Sequence, residues 1–185
     1  TSGVGTGRAT GPHMHARIVG LTLLCIASLA CTKAAPSTQF REGPLDLTLP
    51  SYPDRTSFTL SSRKGRVVLL DVWATWCEPC RESLPKYQAL AAKHGGKGLD
   101  VVTINVDGEA AVPKAIPTFV TETKLSLPIL LDTDAKLSEE QLRVKVMPTA
   151  FLVDRKGVVR HVHEGFEGET FAQLEHQLEG LLAEP

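Results

Sequence analysis

Cysteine is scarce in this chain: four residues in 185, at positions 25, 31, 77 and 80. That is too few for a small domain stapled by several bridges. An excess of one charge is also missing. The 20 Lys and Arg stand against 21 Asp and Glu, a net charge of −1. No basic footprint for nucleic acid exists, and no strongly charged tail. The apolar stretch Ile18–Ala30 falls short of the roughly 20 residues a bilayer-spanning helix needs. Internal repeats and low-complexity segments are absent. What is present is globular: 42% apolar and 22% charged residues, enough for one domain of ordinary size with sequence to spare.

The spare sequence lies at the start. Met14-His15-Ala16-Arg17 precedes the apolar stretch, and small residues close it. A positive flank, a short apolar core and a small-residue end make a secretory signal. Ser28-Leu29-Ala30-Cys31 resembles a bacterial lipoprotein signal with Cys31 as the lipid-attachment site, although Ser28 stands where Leu is usual. Cleavage after Ala30 fits the same residues. Residues 1–13, rich in Gly and Thr, show no periodicity and are expected to lack order. We divide the chain into a leader and export signal (1–31), a tether (32–44) and a folded domain (45–185). Export places that domain where disulfides persist.

Within the domain, Leu45 to Leu49 alternates apolar and polar and reads as a strand, with Ser57–Leu60 a second. Val67–Trp73 is rich in Val and Leu, as a buried central strand would be. A helix is expected from about Cys77 to Gly95-Gly96, kinked at Pro85. Leu99–Val106 reads as a strand. Residues 109–124 read as a helix interrupted by Pro113 and Pro117, and Pro128–Leu131 as a short strand. Lys136–Val144 reads as a short helix. Thr149–Val153 and Val158–His163 form a hairpin through Asp154-Arg155-Lys156-Gly157. A last helix carries Phe171, Leu174, Leu178, Leu181 and Leu182 on one face, with Thr170 and Gln173 as a capping box. Strand–helix alternation demands parallel pairing with right-handed crossovers. The expected fold is α/β: a mixed central sheet flanked by helices, with a short N-terminal β extension.

Trp73-Ala74-Thr75-Trp76-Cys77-Glu78-Pro79-Cys80-Arg81 sits at a strand-to-helix junction. Residues three apart on a helix are neighbours, so Cys77 and Cys80 can close a disulfide. At the helix start, free amides and the positive dipole end favour a Cys77 thiolate, the nucleophilic form. Cys80 lies one turn in, more buried, with a higher pKa. Cys77 therefore attacks and Cys80 resolves. Pro79 fits a first helical turn. Glu78 suits the dipole, while its charge opposes a neighbouring thiolate. Asp71 is a charge inside an apolar strand, which is costly without a role. Burial would raise its pKa and let it take the Cys80 proton; a plain strand-end Asp is the competing reading. Met147-Pro148-Thr149 places a proline before a strand, as an edge residue or a cis peptide. A cis turn would offer the Met147 backbone to an extended client chain.

These residues resemble the exported thiol–disulfide interchange proteins of the TlpA/ResA type, which have a thioredoxin-like fold. The matching pieces are Val67 to Arg81, Pro85, Asn105-Val106-Asp107, Met147-Pro148-Thr149, and Phe151 to Asp154 followed by Gly157, together covering residues 45–182. The resemblance implies a cis peptide before Pro148, a reactive Cys77, a resolving Cys80, and Trp76 beside them. It implies a substrate groove formed with Met147 and Thr149, and the expected client-binding residues are Trp76, Glu78, Pro79, Met147, Pro148 and Thr149. It also implies a reductase fed electrons by a membrane donor, with apocytochrome c thiols or a copper-site protein as clients. Two residues depart from the pattern. Ser83 stands where such proteins often carry Glu, with Glu82 rotated about 100° away on a helix. Asp71 stands where many carry Asn.

The expected protein is a monomeric protein-disulfide reductase on the periplasmic side of a bacterial envelope. Its cofactor is its own Cys77–Cys80 pair, with no metal; its partners are a disulfide-bearing client and a membrane donor. An oxidase or isomerase would use the same site in the other direction. A copper-delivery protein would use Cys77, Cys80 and His161 or His163, since thiolates select Cu(I). A zinc site lacks its four ligands.

Overall fold

The computed structural model describes residues 44–185, together with Gly3. The export signal, Cys25, Cys31 and the tether through residue 43 lie outside the described residues. Residues from 44 onward belong to the unit Ser37–Pro185.

The strands are β1 (Thr48–Pro50), β2 (Ser57–Thr59), β3 (Val67–Trp73), β4 (Leu99–Asn105), β5 (Ile129–Leu131), β6 (Thr149–Val153) and β7 (Val159–Glu164); the α-helices are α1 (Glu78–His94), α2 (Ala115–Thr123) and α3 (Gly168–Ala183). β1 pairs with β2 in a separate hairpin, and the main sheet has the order β5-β4-β3-β6-β7. β3 runs parallel to β4 and antiparallel to β6, and every one of its residues is buried. This is the mixed sheet expected from the sequence, in a thioredoxin-like layout.

Topology decides which face carries which helix. The chain steps from β3 to β4 to β5 in one direction across the sheet. Two right-handed crossovers in the same direction put α1 and α2 on the same face. Leu84 and Tyr87 of α1, Phe119 of α2 and Leu178 of α3 accordingly share one core with Leu69 and Trp73. The opposite core holds Leu70 and Val72 against Leu45, Leu47, Leu49 and Phe58 of the N-terminal extension.

Local boundaries differ from the sequence reading in explicable ways. Leu45 and Leu47 are buried as their alternation requires. They precede the β1 ladder, however, because the Leu45 amide bonds the Gly157 carbonyl at 2.8 Å. Pro85 lies on the exposed side of α1, which runs on to His94. Gly98, with φ of 98°, then turns the chain into β4. The segment 109–124 splits into a 3-10 turn (Glu109–Ala111) and α2, whose first turn absorbs Pro117. At Pro117 a missing N–H leaves nothing unbonded. The helix expected over 136–144 is a single π turn, Leu137–Gln141. The Asp132 carboxylate holds its start, accepting the Ser138 amide at 2.7 Å. The capping box at Thr170 does not form: α3 starts at Gly168 and Thr170 lies in its first turn.

Candidate active site

The site forms where β3 ends. Beyond Trp73 the chain makes a tight loop, closed by the Cys77 amide donating to the Ala74 carbonyl at 3.1 Å. Cys77 has extended backbone angles and is the N-cap of α1, with Glu78 and Pro79 in the first turn. Cys77 and Cys80 are joined in a disulfide with Cα atoms 5.3 Å apart. Cys80 is completely buried and Cys77 only 5% exposed. Trp76, the residue before Cys77, is 70% exposed. The helix tip thus carries a sheltered sulfur pair beside an open indole. A thiolate formed at Cys77 would face the unpaired amides of the first turn, which favour an anion.

Asp71 is fully buried, and neither carboxylate oxygen accepts a hydrogen bond. Side chains alternate along a strand. Val67, Leu69 and Trp73 belong to the core that contains Cys77 and Cys80, so Asp71 faces the same side. Burial pushes its pKa well above the ordinary carboxylate range. Such a carboxylate is a stronger base than one in water.

The peptide bond between Met147 and Pro148 is cis. Thr149, first in β6, pairs with Val72 of β3, which sets the Met147–Thr149 turn beside the loop leading to Cys77. The Pro148 carbonyl accepts the Gly165 amide at 2.8 Å. Met147 packs against both cores. A cleft of about 150 Å³ opens beside it, lined by Val72, Val106, Val144 and Met147 among others.

Ser83 is buried and donates its hydroxyl to the Cys80 carbonyl at 3.3 Å, whereas Glu82 is exposed. The two histidines considered with the dithiol sit elsewhere. They lie on β7, separated from β3 by β6, and His163 bonds Gln177 at 2.8 Å. Among the described residues, no three His, Cys, Asp or Glu side chains gather to hold a metal.

Sequence reasoning assigned no role to a buried polar network beside the loop. The Asp107 carboxylate accepts the Thr75 amide at 2.9 Å, the Thr75 hydroxyl at 3.0 Å and the Asn105 side-chain amide at 2.7 Å. The signal was available: polar residues at the carboxyl end of a buried parallel strand mark the functional edge of α/β sheets.

Several known proteins are similar to this chain in sequence or fold. ResA of Bacillus subtilis, a thiol-disulfide oxidoreductase, is 37% identical over 112 residues, 60% of each chain. The chain spans about three fifths of the length of the curated relatives it matches. A solved structure from Chlorobium tepidum, a candidate thiol:disulfide interchange protein DsbE, is 33% identical with a TM-score of 0.70, covering 78% of this chain and 99% of that one. The exposed lipoprotein thioredoxin of Streptococcus pneumoniae is 31% identical with a TM-score of 0.58, over 74% of this chain and 100% of that one. The Redoxin family profile matches residues 32–178, so this chain belongs to the Redoxin family.

Proposed function

We propose that this protein is an exported thiol–disulfide oxidoreductase that reduces disulfides in client proteins. The observation that carries the reading is the sheltered Cys77–Cys80 disulfide at the N-cap of α1, beside the cis Met147–Pro148 turn. The names of the Bacillus and Chlorobium relatives support the same chemistry.

In the proposed cycle the reduced Cys77 thiolate attacks one sulfur of a client disulfide. A mixed disulfide forms, and the other client sulfur leaves as a thiolate. Asp71 takes the Cys80 proton. The Cys80 thiolate attacks Cys77 Sγ, reforms the Cys77–Cys80 bond and releases the second client thiol. Two electrons have passed to the client, and a membrane dithiol donor must return them. Trp76, Glu78, Pro79, Met147 and Thr149 form the client-facing rim, with Pro148 fixing the turn. The Met147 backbone pairs with an extended client segment. Cys31 anchors the domain through lipid; the lipoprotein nature of the pneumococcal relative supports this. Clients of the cytochrome c maturation kind, and action as a monomer, belong to the same proposal.

The test is capture. Replacing Cys80 by Ser removes the resolving sulfur, so a disulfide-bonded peptide should accumulate as a covalent adduct on Cys77, read by mass spectrometry. No adduct, with Cys77 still open to alkylation, refutes the cycle. Direction is read from the reduction potential: about −270 mV suits a reductase and about −120 mV an oxidant.

A further inference from the structure

We infer that Asp107 is a positioning residue: by pinning Thr75 it holds Trp76 and, at the tip of α1, Cys77. The inference rests on the reading of Cys77 as the attacking sulfur.

Asp107 is 3% exposed. It follows β4, whose carboxyl end lies against that of β3: Asn105 is the partner of Trp73 in the ladder. Two of the three bonds its carboxylate accepts come from Thr75, through the backbone amide at 2.9 Å and the hydroxyl at 3.0 Å. Hydrogen bonds to an ionised acceptor are roughly twice as strong as neutral ones. A residue held at two points has both its position and its orientation fixed. Asn105 braces the carboxylate from the other side, donating at 2.7 Å and accepting the Asp107 amide at 3.1 Å.

The network does not serve the sheet. β3 and β4 already pair in register from Val67↔Leu99 to Trp73↔Asn105. Past that ladder the Val106 amide donates to the Trp73 carbonyl at 3.0 Å, and the Asp107–Thr75 clamp comes next. Beyond bracing its own turn through Asn105, it reaches the loop, at Thr75. From Thr75 the chain has one residue, Trp76, before Cys77. The helix-end field acts only over the first turn. A loop free to drift would carry Cys77 out of that field, and its thiol would return toward ordinary acidity. Asp107 touches neither sulfur. It acts through Thr75.

Thr75→Val tests this. Val keeps the shape of Thr and the charge of the protein while removing the hydroxyl bond to Asp107. The full-length reduced protein is alkylated with iodoacetamide from pH 4 to pH 9, the Cys77 product is quantified by peptide mapping, and thermal melting is followed in parallel. Alkylation at pH 6 should slow about three- to tenfold, the scale of one charge-assisted bond partly transmitted to the thiolate, and the midpoint should move to higher pH. Thr75→Ser should restore the wild-type profile. If the Val profile superimposes on wild type, even with a lower melting temperature, the network is merely structural and the inference falls. Thr75 is half-buried, and Thr75→Ala gives the same readout if the Val variant does not fold. A wild-type midpoint near the ordinary ~8.5 would instead overturn the proposed function, and the inference with it.

Discussion

Asp71 and Tyr87 share one buried compartment: burial first, and the Asp71 carboxylate second, push the Tyr87 hydroxyl far up in pKa. The tyrosine therefore stays neutral, packed in the core that also holds Cys77 and Cys80. Asp71 is the titrating group there, with no hydrogen bond to hold its charge.

That isolation fixes the sign of a pH effect. Burial raises the Asp71 pKa in the folded chain above its unfolded value. Below pH ~4 both states hold the proton and the site costs no charge burial. As pH rises, the unfolded chain ionises first, so stability falls until the folded pKa is passed. Asp71→Asn should remove this loss. We expect a gain of about 1–3 kcal/mol at pH 8, the cost of an unsatisfied buried polar group, fading toward pH 4. Urea melts at pH 4, 6 and 8 check it; a gain independent of pH refutes it. In the proposed cycle the same variant should also slow release of a mixed disulfide, followed by stopped-flow, because Cys80 would have no carboxylate to take its proton.

The dithiol and Asp71 were legible because each breaks a local rule, paired thiols and a charge in an apolar strand, whereas the cis peptide before Pro148 came from the family resemblance, a proline at a strand start being compatible with an edge residue too. β3 was legible from its unbroken apolar run. Asp107 stood out as a polar residue at the end of a buried strand, but its partner Thr75 did not, because that side-chain contact spans 32 residues and periodicity does not encode it. The π turn at Leu137–Gln141 escaped for a similar reason: its start is held by Asp132, five residues upstream and in no helical register with it. Thr170 looked like a cap, but the helix starts two residues earlier, at Gly168, with Glu167 as its N-cap.

Glu82 and Ser83 are neighbours on α1 with opposite burial, and it is Ser83 that reaches Cys80. Glu82 is exposed, and Ser83 is fully buried against Cys80. Glu82→Gln should leave the pH profile of Cys77 alkylation and the melting temperature unchanged. Ser83→Glu should place a carboxyl in the buried position, lowering stability by about 2 kcal/mol or more and raising the pKa of the dithiol. Denaturant midpoints and alkylation profiles of the two variants distinguish them; an effect of Glu82→Gln equal to that of Ser83→Glu would refute the assignment.

His94 gives the opposite pH trend to Asp71. Burial, then Lys93 and Lys97, lowers its pKa, and neither ring nitrogen has a hydrogen-bond partner. The folded state prefers the neutral ring, so this site contributes full stability above the unfolded pKa of ~6.5 and loses it as pH falls through the lower folded value. Glu179, 3.9 Å away, offsets part of the loss. His94→Gln should flatten the decline between pH 7 and pH 5 while wild type weakens. Parallel melts across that window test it.

Trp76 closes the set, because its exposure is unusual for an aromatic of its size. At 70% exposed it adds little to the fold, so Trp76→Ala should change stability by less than about 0.5 kcal/mol. An open indole beside a sheltered sulfur is instead suited to bury itself against a client, as aromatic anchors do at interfaces. With a disulfide-bonded peptide, kcat/KM should drop about tenfold, a loss of one anchor of ~1.4 kcal/mol. With a small disulfide, too short to reach the indole and the Met147 turn together, the drop should be smaller. Equal losses on both would mean that Trp76 acts on the sulfur itself and not on the client chain.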